Sequence, residues 1–360
     1  MGVEEEMFLV DPRTRRLAAA SDRAVAAQRS PDEVEQELFL QQLETQSDPQ
    51  HDLADLLADL RAARRSAADA ARSAGARLAV MPTPVVADGD GVLTPKDRYE
   101  RMMSRFGRVG RQALVCGMHV HVDVSDGDEA VAVVDRLRPW LPLVLAMSTS
   151  SPFDLGIDTS YASWRAEVWE SWPSAGAVEP FGDAAGYDSA VAAIVASGAA
   201  LDEGMLYLDA RPSRSFPTVE IRVADVCTDL ADTVVVAAVA RALVDTCASD
   251  WRDGAALAPW RVDLLQAARW RARRDGLGGS LLDPVSREVA PAGQVLQTLL
   301  GTIAPALDAH GDRRLVEDGI ARLLDEGTGA TRQRAVAGPD LDLDAVVDDV
   351  LERTEASLAD

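Results

Sequence analysis

Apolar and polar residues alternate with a period of two at several places along the chain, which marks strands with two chemically different faces. The first is residues 2–10: Glu4 and Glu6 fall on one face, Val3, Met7 and Leu9 on the other, and Asp11-Pro12 supplies the closing turn. Extended structure is next expected over 37–45. Asp48-Pro49 then opens a long Ala/Arg/Leu stretch, about 51–75, whose apolar spacing is helical. A short strand at 77–81 ends at Pro82-Thr83-Pro84, and a helix is expected over 94–106. Residues 113–124 alternate cleanly, with Val120, Val122 and Val124 on one face and His119, His121 and Asp123 on the other. Helices are expected at 128–148, 187–197 and 229–248, with strands at 205–210 and 218–224. Strands separated by helices without strict βαβ alternation predict an α+β fold with a largely antiparallel sheet. The chain carries no internal repeat and no long linker, so one domain over 1–360 is expected, mostly helical from about 256. The Gly/Pro-rich stretch 172–186 reads as a loop over a site.

Composition narrows the function. Apolar residues make up 47% of the 360, enough to rule out a disordered chain. The net charge of −23 argues against nucleic-acid and anionic-membrane partners. Lys96 is the one lysine, so anion recognition falls to arginine, histidine, backbone N–H groups or metal ions. Cys116, Cys227 and Cys247 each lie in an apolar run and read as reduced core thiols. The apolar stretches are interrupted and short for a membrane span, and no leader is expected ahead of the first strand. A cytoplasmic protein is the expectation.

Candidate chemistry concentrates on the polar strand faces. Glu4, Glu6, Glu37, Glu44 and Glu220 recur on extended segments. Carboxylates converging from neighbouring strands repel unless cations lie between them, and oxygen ligands without cysteine select magnesium or manganese. The plain alternative for Glu4-Glu5-Glu6 is a solvated strand face. In Thr218–Val223, Val219, Ile221 and Val223 form an apolar face while Glu220 and Arg222 share the other, as a salt bridge or as a metal ligand beside an anion-binding arginine. His119 and His121 point the same way. They suit zinc or iron in a His-x-His metal-dependent hydrolase, or donors to a nucleotide phosphate, or a satisfied polar face. The hydrolase needs further ligands, and only His51 and His310 remain, neither in a strand-like context. Arg165, in a Trp-rich stretch, and Arg211, ending a strand, are candidates for carboxylate or phosphate contacts. Trp164, Trp169 and Trp172 read by default as packing residues. No G-x-x-x-x-G-K-[ST] or strand-associated G-x-G-x-x-G occurs, which removes P-loop and dinucleotide-fold nucleotide binding.

Taken in order, Gly2-Val3-Glu4-Glu5-Glu6, Phe8 to Pro12, Leu43-Glu44-Thr45, Gly117-Met118-His119-Val120-His121-Val122, Ser151-Pro152-Phe153, 161–173 and 211–225 resemble the bacterial carboxylate–amine ligases of the short glutamate–cysteine ligase type 2. The resemblance covers about 2–290. It implies a curved, mainly antiparallel sheet of the glutamine-synthetase-like catalytic type, flanked by helices. It also implies an ATP-dependent, Mg2+-requiring (or Mn2+-requiring) joining of the glutamate γ-carboxylate to cysteine or another amine through an acyl phosphate, by a homodimer. Under it Glu4, Glu6, Glu44, Glu220 and Glu37 are metal ligands, while His119 and Arg222 serve the transferring phosphoryl group. Arg165, Arg211 and His121 are substrate or nucleotide contacts. A catalytically silent relative that binds amino acid or nucleotide carries the same motifs.

Overall fold

The computed structural model describes residues 1–28, 34–86 and 91–359. In chain order its strands are β1 (Gly2–Val10), β2 (Glu35–Gln36), β3 (Gln42–Gln46), β4 (Arg77–Ala79), β5 (Gly117–Asp123), the small pair β6 (Phe153–Asp154) and β7 (Ile157–Asp158), β8 (Ala210–Pro212) and β9 (Thr218–Asp225), followed by the pair β10 (Ser280–Leu282) and β11 (Val289–Pro291). The main sheet runs β2-β3-β1-β5-β9-β8, with β4 also paired to β1. Every pairing in it is antiparallel, as the α+β reading expects.

One face of the sheet packs on helices. Val3, Met7, Val120, Val122, Val219 and Ile221 are almost wholly buried there. The Leu53–Ser73 and Leu230–Arg252 helices cover this face, and Leu56, Leu60, Val236 and Val239 join the same apolar cluster. Burying side chains of this size contributes roughly 1.5–3 kcal/mol each. The helices after residue 256 return to this core, since Val295, Ile303, Val316 and Val350 belong to it. Glu5 shares the apolar face of β1. It is fully buried and met by Arg64, whose Nη2 and Nε donate to its two oxygens at 2.6 and 2.8 Å.

Three expectations about elements are corrected. Residues 37–45 are not one extended piece: a loop from Glu37 to Gln41, pinned by buried Phe39, separates β2 from β3. The helix expected over 128–148 breaks into Gly127–Leu137 and Leu141–Ser148, because Pro139 and Pro142 remove backbone donors at the junction. The strand expected at 205–210 starts at Ala210 and is preceded by a 3-10 turn over Glu203–Met205. Among the described residues, no helix is long and apolar enough to cross a membrane.

Candidate functional site

The second face of the sheet is polar. Strand alternation sends Glu4 and Glu6 to it from β1, and register aligns them with partners on both sides. Glu4 stands opposite His119 of β5, Glu6 opposite Glu44 of β3, and His121 of β5 opposite Glu220 of β9. A cavity of about 590 Å³ opens over this face. Glu4, Glu6, Glu37, Glu44 and Glu220 line it together with His119, His121, Arg211 and Arg222. Nine of the ten residues singled out in the sequence therefore share one wall, and the glutamate run of β1 is not a solvated face. Cys116, Cys227 and Cys247 are buried free thiols.

The wall divides electrostatically. At the β5–β9 side, Glu220 is held by two guanidiniums: Arg211 Nε donates at 2.7 Å and Arg222 Nη1 bonds it closely. Burial works against the charged form of Glu220, but Arg222 and Arg211 outweigh it and draw the carboxyl down to about 2. His119 Nδ1 donates to Glu4 Oε2 at 2.9 Å, and His121 Nε2 lies 3.2 Å from Glu4 Oε1. Burial opposes ionisation of Glu4 too, yet hydrogen bonds from both histidines hold it well below the usual carboxylate range. His119, desolvated and near Arg222, is shifted down from the ordinary imidazole value.

The β1–β3 side is different. Glu44 is pushed well above the usual range, first by burial and then by the charges of Glu37, Glu4 and Glu6. Glu6 is raised by burial, although His119, Arg165 and the Gly117 N–H oppose the shift. That N–H donates to Glu6 Oε2 at 2.6 Å. Arg211 and Arg222, the guanidiniums that lower Glu220, bond to that carboxylate instead.

Oxygen and imidazole atoms gather closely enough to hold cations. In three sets, Glu6 with Glu37 and Glu44, Glu4 with Glu44 and His119, and Glu4 with His121 and Glu220, one ligand atom per residue lies within 4.8 Å of the others. The first is all carboxylate, the donor chemistry that hard divalent cations prefer. The raised Glu6 and Glu44 carboxyls show the same need from the opposite side, because a cation between them would remove the repulsion. Of the other histidines, His310 pairs with Asp245 at 2.6 Å, and His51 is exposed outside this wall, so the further ligands of a hydrolase site are missing from it.

Arg165 is placed elsewhere than the sequence suggests. It is 2% exposed, not among the residues that line the cavity, and donates to the carbonyls of Arg222 and Val223 at 3.3 and 3.4 Å. Its guanidinium also stacks over the Trp169 ring at 5.6 Å. Packing is so close that a Cβ on Gly117 would lie 2.1 Å from Arg165 Nη2. A side chain at residue 117 would therefore require the buried Arg165 guanidinium to shift. Trp169 and Trp172, read from sequence as packing residues, do pack, but they also line the cavity with Tyr99, Met102 and Tyr207. Arg98 and Gln42 complete what sequence reasoning missed. Gln42 had a signal, being two residues before Glu44 on the same strand face. The others come from a helix and loops with no periodic mark.

The sequence pattern of glutamate–cysteine ligase family 2 (GCS2) matches residues 1–339. A Nocardioides sp. protein provisionally named glutamate–cysteine ligase 2-1 is 45% identical over 371 positions, covering 100% of this chain and 97% of that protein. The solved glutamate–cysteine ligase of Francisella tularensis, in complex with AMP, has a TM-score of 0.67 at 13% identity, over 99% of this chain and 92% of that one. A bifunctional glutathione synthetase of Pasteurella multocida gives 0.71 at 15% identity, over 99% of this chain and 52% of that one. The two structures share the fold. This chain belongs to glutamate–cysteine ligase family 2.

Proposed function

With that family as the premise, we propose that the protein is an ATP-dependent carboxylate–amine ligase. It joins the γ-carboxylate of glutamate to the amino group of an amine, with cysteine as the amine of the family name. The observation that carries this reading is the convergence of five carboxylates, two histidines and two arginines on one wall of a single cavity. Anionic substrates meet an anionic wall only if cations mediate. Arginine alone does not suffice, because the four that line the cavity are already engaged by carboxylates of this chain: Arg98 by Asp202, Arg214 by Glu203, and Arg211 and Arg222 by Glu220.

In the proposed reaction an oxygen of the glutamate γ-carboxylate takes the γ-phosphoryl group of ATP, giving an acyl phosphate and ADP. The amine nitrogen then forms a bond to the acyl carbon, phosphate leaves, and the nitrogen loses a proton. Both steps are governed by positioning and charge neutralisation. Glu4, Glu6, Glu37, Glu44 and Glu220 would hold magnesium or manganese, with His119 and His121 as adjoining donors. Bound there, divalent cations offset the negative charge of the phosphates. Arg222 would stabilise the transferring phosphoryl group, and His119 holds Glu4 through its Nδ1 hydrogen bond. Arg211 orients Glu220. Arg165, buried and bonded to the Arg222 and Val223 carbonyls, acts by supporting the β5–β9 backbone.

The deciding experiment is ADP release from the purified protein with ATP, magnesium and glutamate across a panel of amines. Amine-dependent release that collapses in Glu220→Gln is expected. Thermal stabilisation by ATP with no release for any amine would mean a silent, ligand-binding relative instead.

A further inference from the structure

A second cavity, of about 740 Å³, shares no lining residue with the cavity over the carboxylate wall. It opens where the Gly127–Leu137 helix ends at Arg138, beside residues 179–180 and the start of the Val262–Asp275 helix. Arg138 is 7% exposed. Its Nε donates to the Asp135 carbonyl at 2.9 Å and its Nη1 to the Val178 carbonyl at 3.0 Å, which leaves Nη2 unengaged among the described residues. No carboxylate of those residues pairs with it. Other arginines buried to a similar degree do have one: Arg64, Arg222, Arg241, Arg269 and Arg273 each bond to a carboxylate. Burial draws the Arg138 guanidinium down from its ordinary value, as expected of a charge with too little compensation.

Further donors stand at this cavity. Trp260, 5% exposed, lines it, and its indole N–H is buried with no hydrogen-bond partner among the described residues. Arg261, Val262 and Asp263 line it as the cap and first turn of the Val262–Asp275 helix. No side chain caps that helix, so the positive end of its dipole lies at the cavity. Asp263, the acid of that turn, is tied to Arg261 Nε at 2.9 Å. Arg287, whose guanidinium stacks over the Trp260 ring at 5.5 Å, has no carboxylate partner among the described residues either. Glu179 is exposed and does not pair with Arg138. A helix start, a buried guanidinium without a counterion and an unpaired N–H together make the donor set of an oxyanion site. Pro180, Leu257, Pro259 and Val262, none of them buried, add apolar surface around it. The volume falls in the range of small-molecule sites, roughly 300–1,000 Å³, so the space suits an anion that carries an apolar body.

We propose that this cavity binds a small organic anion, a carboxylate or phosphate monoester on an apolar body, with its oxyanion held by Arg138, the Trp260 N–H and the start of the Val262–Asp275 helix. Such binding does not depend on ligase activity. The probes are para-fluorobenzoate, para-fluorophenyl phosphate and the neutral para-fluorobenzyl alcohol, titrated into the whole protein and followed by fluorine NMR. At least one anion should saturate a single site with a Kd on the order of 1 mM or lower, and the alcohol should bind at least about tenfold more weakly. The better of the two anions tells a carboxylate ligand from a phosphate one. Arg138→Gln should weaken the anion about tenfold and leave the alcohol unaffected, and Trp260→Phe should weaken the anion about threefold. Repeating the titration with saturating ADP and magnesium, directed at the carboxylate wall, should leave the anion bound. Absence of saturation by either anion, equal binding of the alcohol, displacement by ADP, or full affinity in Arg138→Gln each overturns the proposal. The wild-type comparisons decide even if a variant fails to fold.

Discussion

Glu6 and Glu44 stand directly opposite one another in the antiparallel register of β1 and β3, two carboxylates on the same polar face. Glu37 adds a third within ligand reach. Nothing in β-sheet pairing favours this arrangement, since like charges directly opposite destabilise a sheet. The fold therefore carries a repulsion that only protons or cations relieve, and the consequences are measurable.

Metal-free protein should lose stability as pH rises. Glu44 has its folded-state pKa raised well above the unfolded value, so the folded chain binds more protons there. Stability from the protonated form is fully present below the unfolded value of about 4.3 and is lost as pH climbs through the raised folded value. Melting curves in EDTA between pH 4 and 8 should show a falling Tm, and millimolar magnesium should flatten the slope. Glu44→Gln should raise the metal-free Tm at pH 8 and abolish amine-dependent ADP release.

Glu220 behaves in the opposite sense. Its folded-state carboxyl sits at about 2, below the unfolded value of about 4.3, so its contribution is present above the latter and lost as pH falls toward the former. Glu220→Gln leaves Arg211 and Arg222 without their anion and should cost about 3 kcal/mol at pH 7. Urea titrations of both proteins should show this gap narrowing below pH 4.

Under the sheet, Glu5 and Arg64 form a pair with no exposure on either side. Glu5→Gln strands a buried guanidinium and should cost about 3–5 kcal/mol. Arg64 also donates to the carbonyls of Cys227 and Thr228, so Arg64→Met should be costly by itself. The two losses should not add: a double-mutant cycle read from urea midpoints should return about 1–3 kcal/mol of coupling.

Gly117→Ala tests the backing of the site. The new Cβ would displace the Arg165 guanidinium and disturb the N–H that holds Glu6. A shift of about 1 Å in a positioned group can cost about a hundredfold in rate. kcat should fall on that scale while far-ultraviolet circular dichroism stays unchanged. An unaltered kcat would show that β5 tolerates the added methyl and that Arg165 gives no support.

Much of the site was legible because strand periodicity is local. Glu4 and Glu6, His119 and His121, and Glu220 and Arg222 each sit two residues apart, and two-residue spacing places side chains on one face whatever the rest of the chain does. The same rule set Glu5 among Val3 and Met7, but it could not name Arg64, a partner 59 residues away on a helix. Arg165 stood out only as an arginine in a Trp-rich stretch, and nothing local showed that it is buried against the Arg222 and Val223 carbonyls. Nor did the rule reach Tyr99, Trp172 and Tyr207, whose positions follow from the paths of a helix and two loops. Sequence alone thus determined which residues share a face within each strand, because alternation is a property of the extended backbone. Tertiary structure decided which faces meet. The order β3-β1-β5-β9 rests on packing against the Leu53–Ser73 and Leu230–Arg252 helices, and burial of a common apolar surface depends on the whole chain at once.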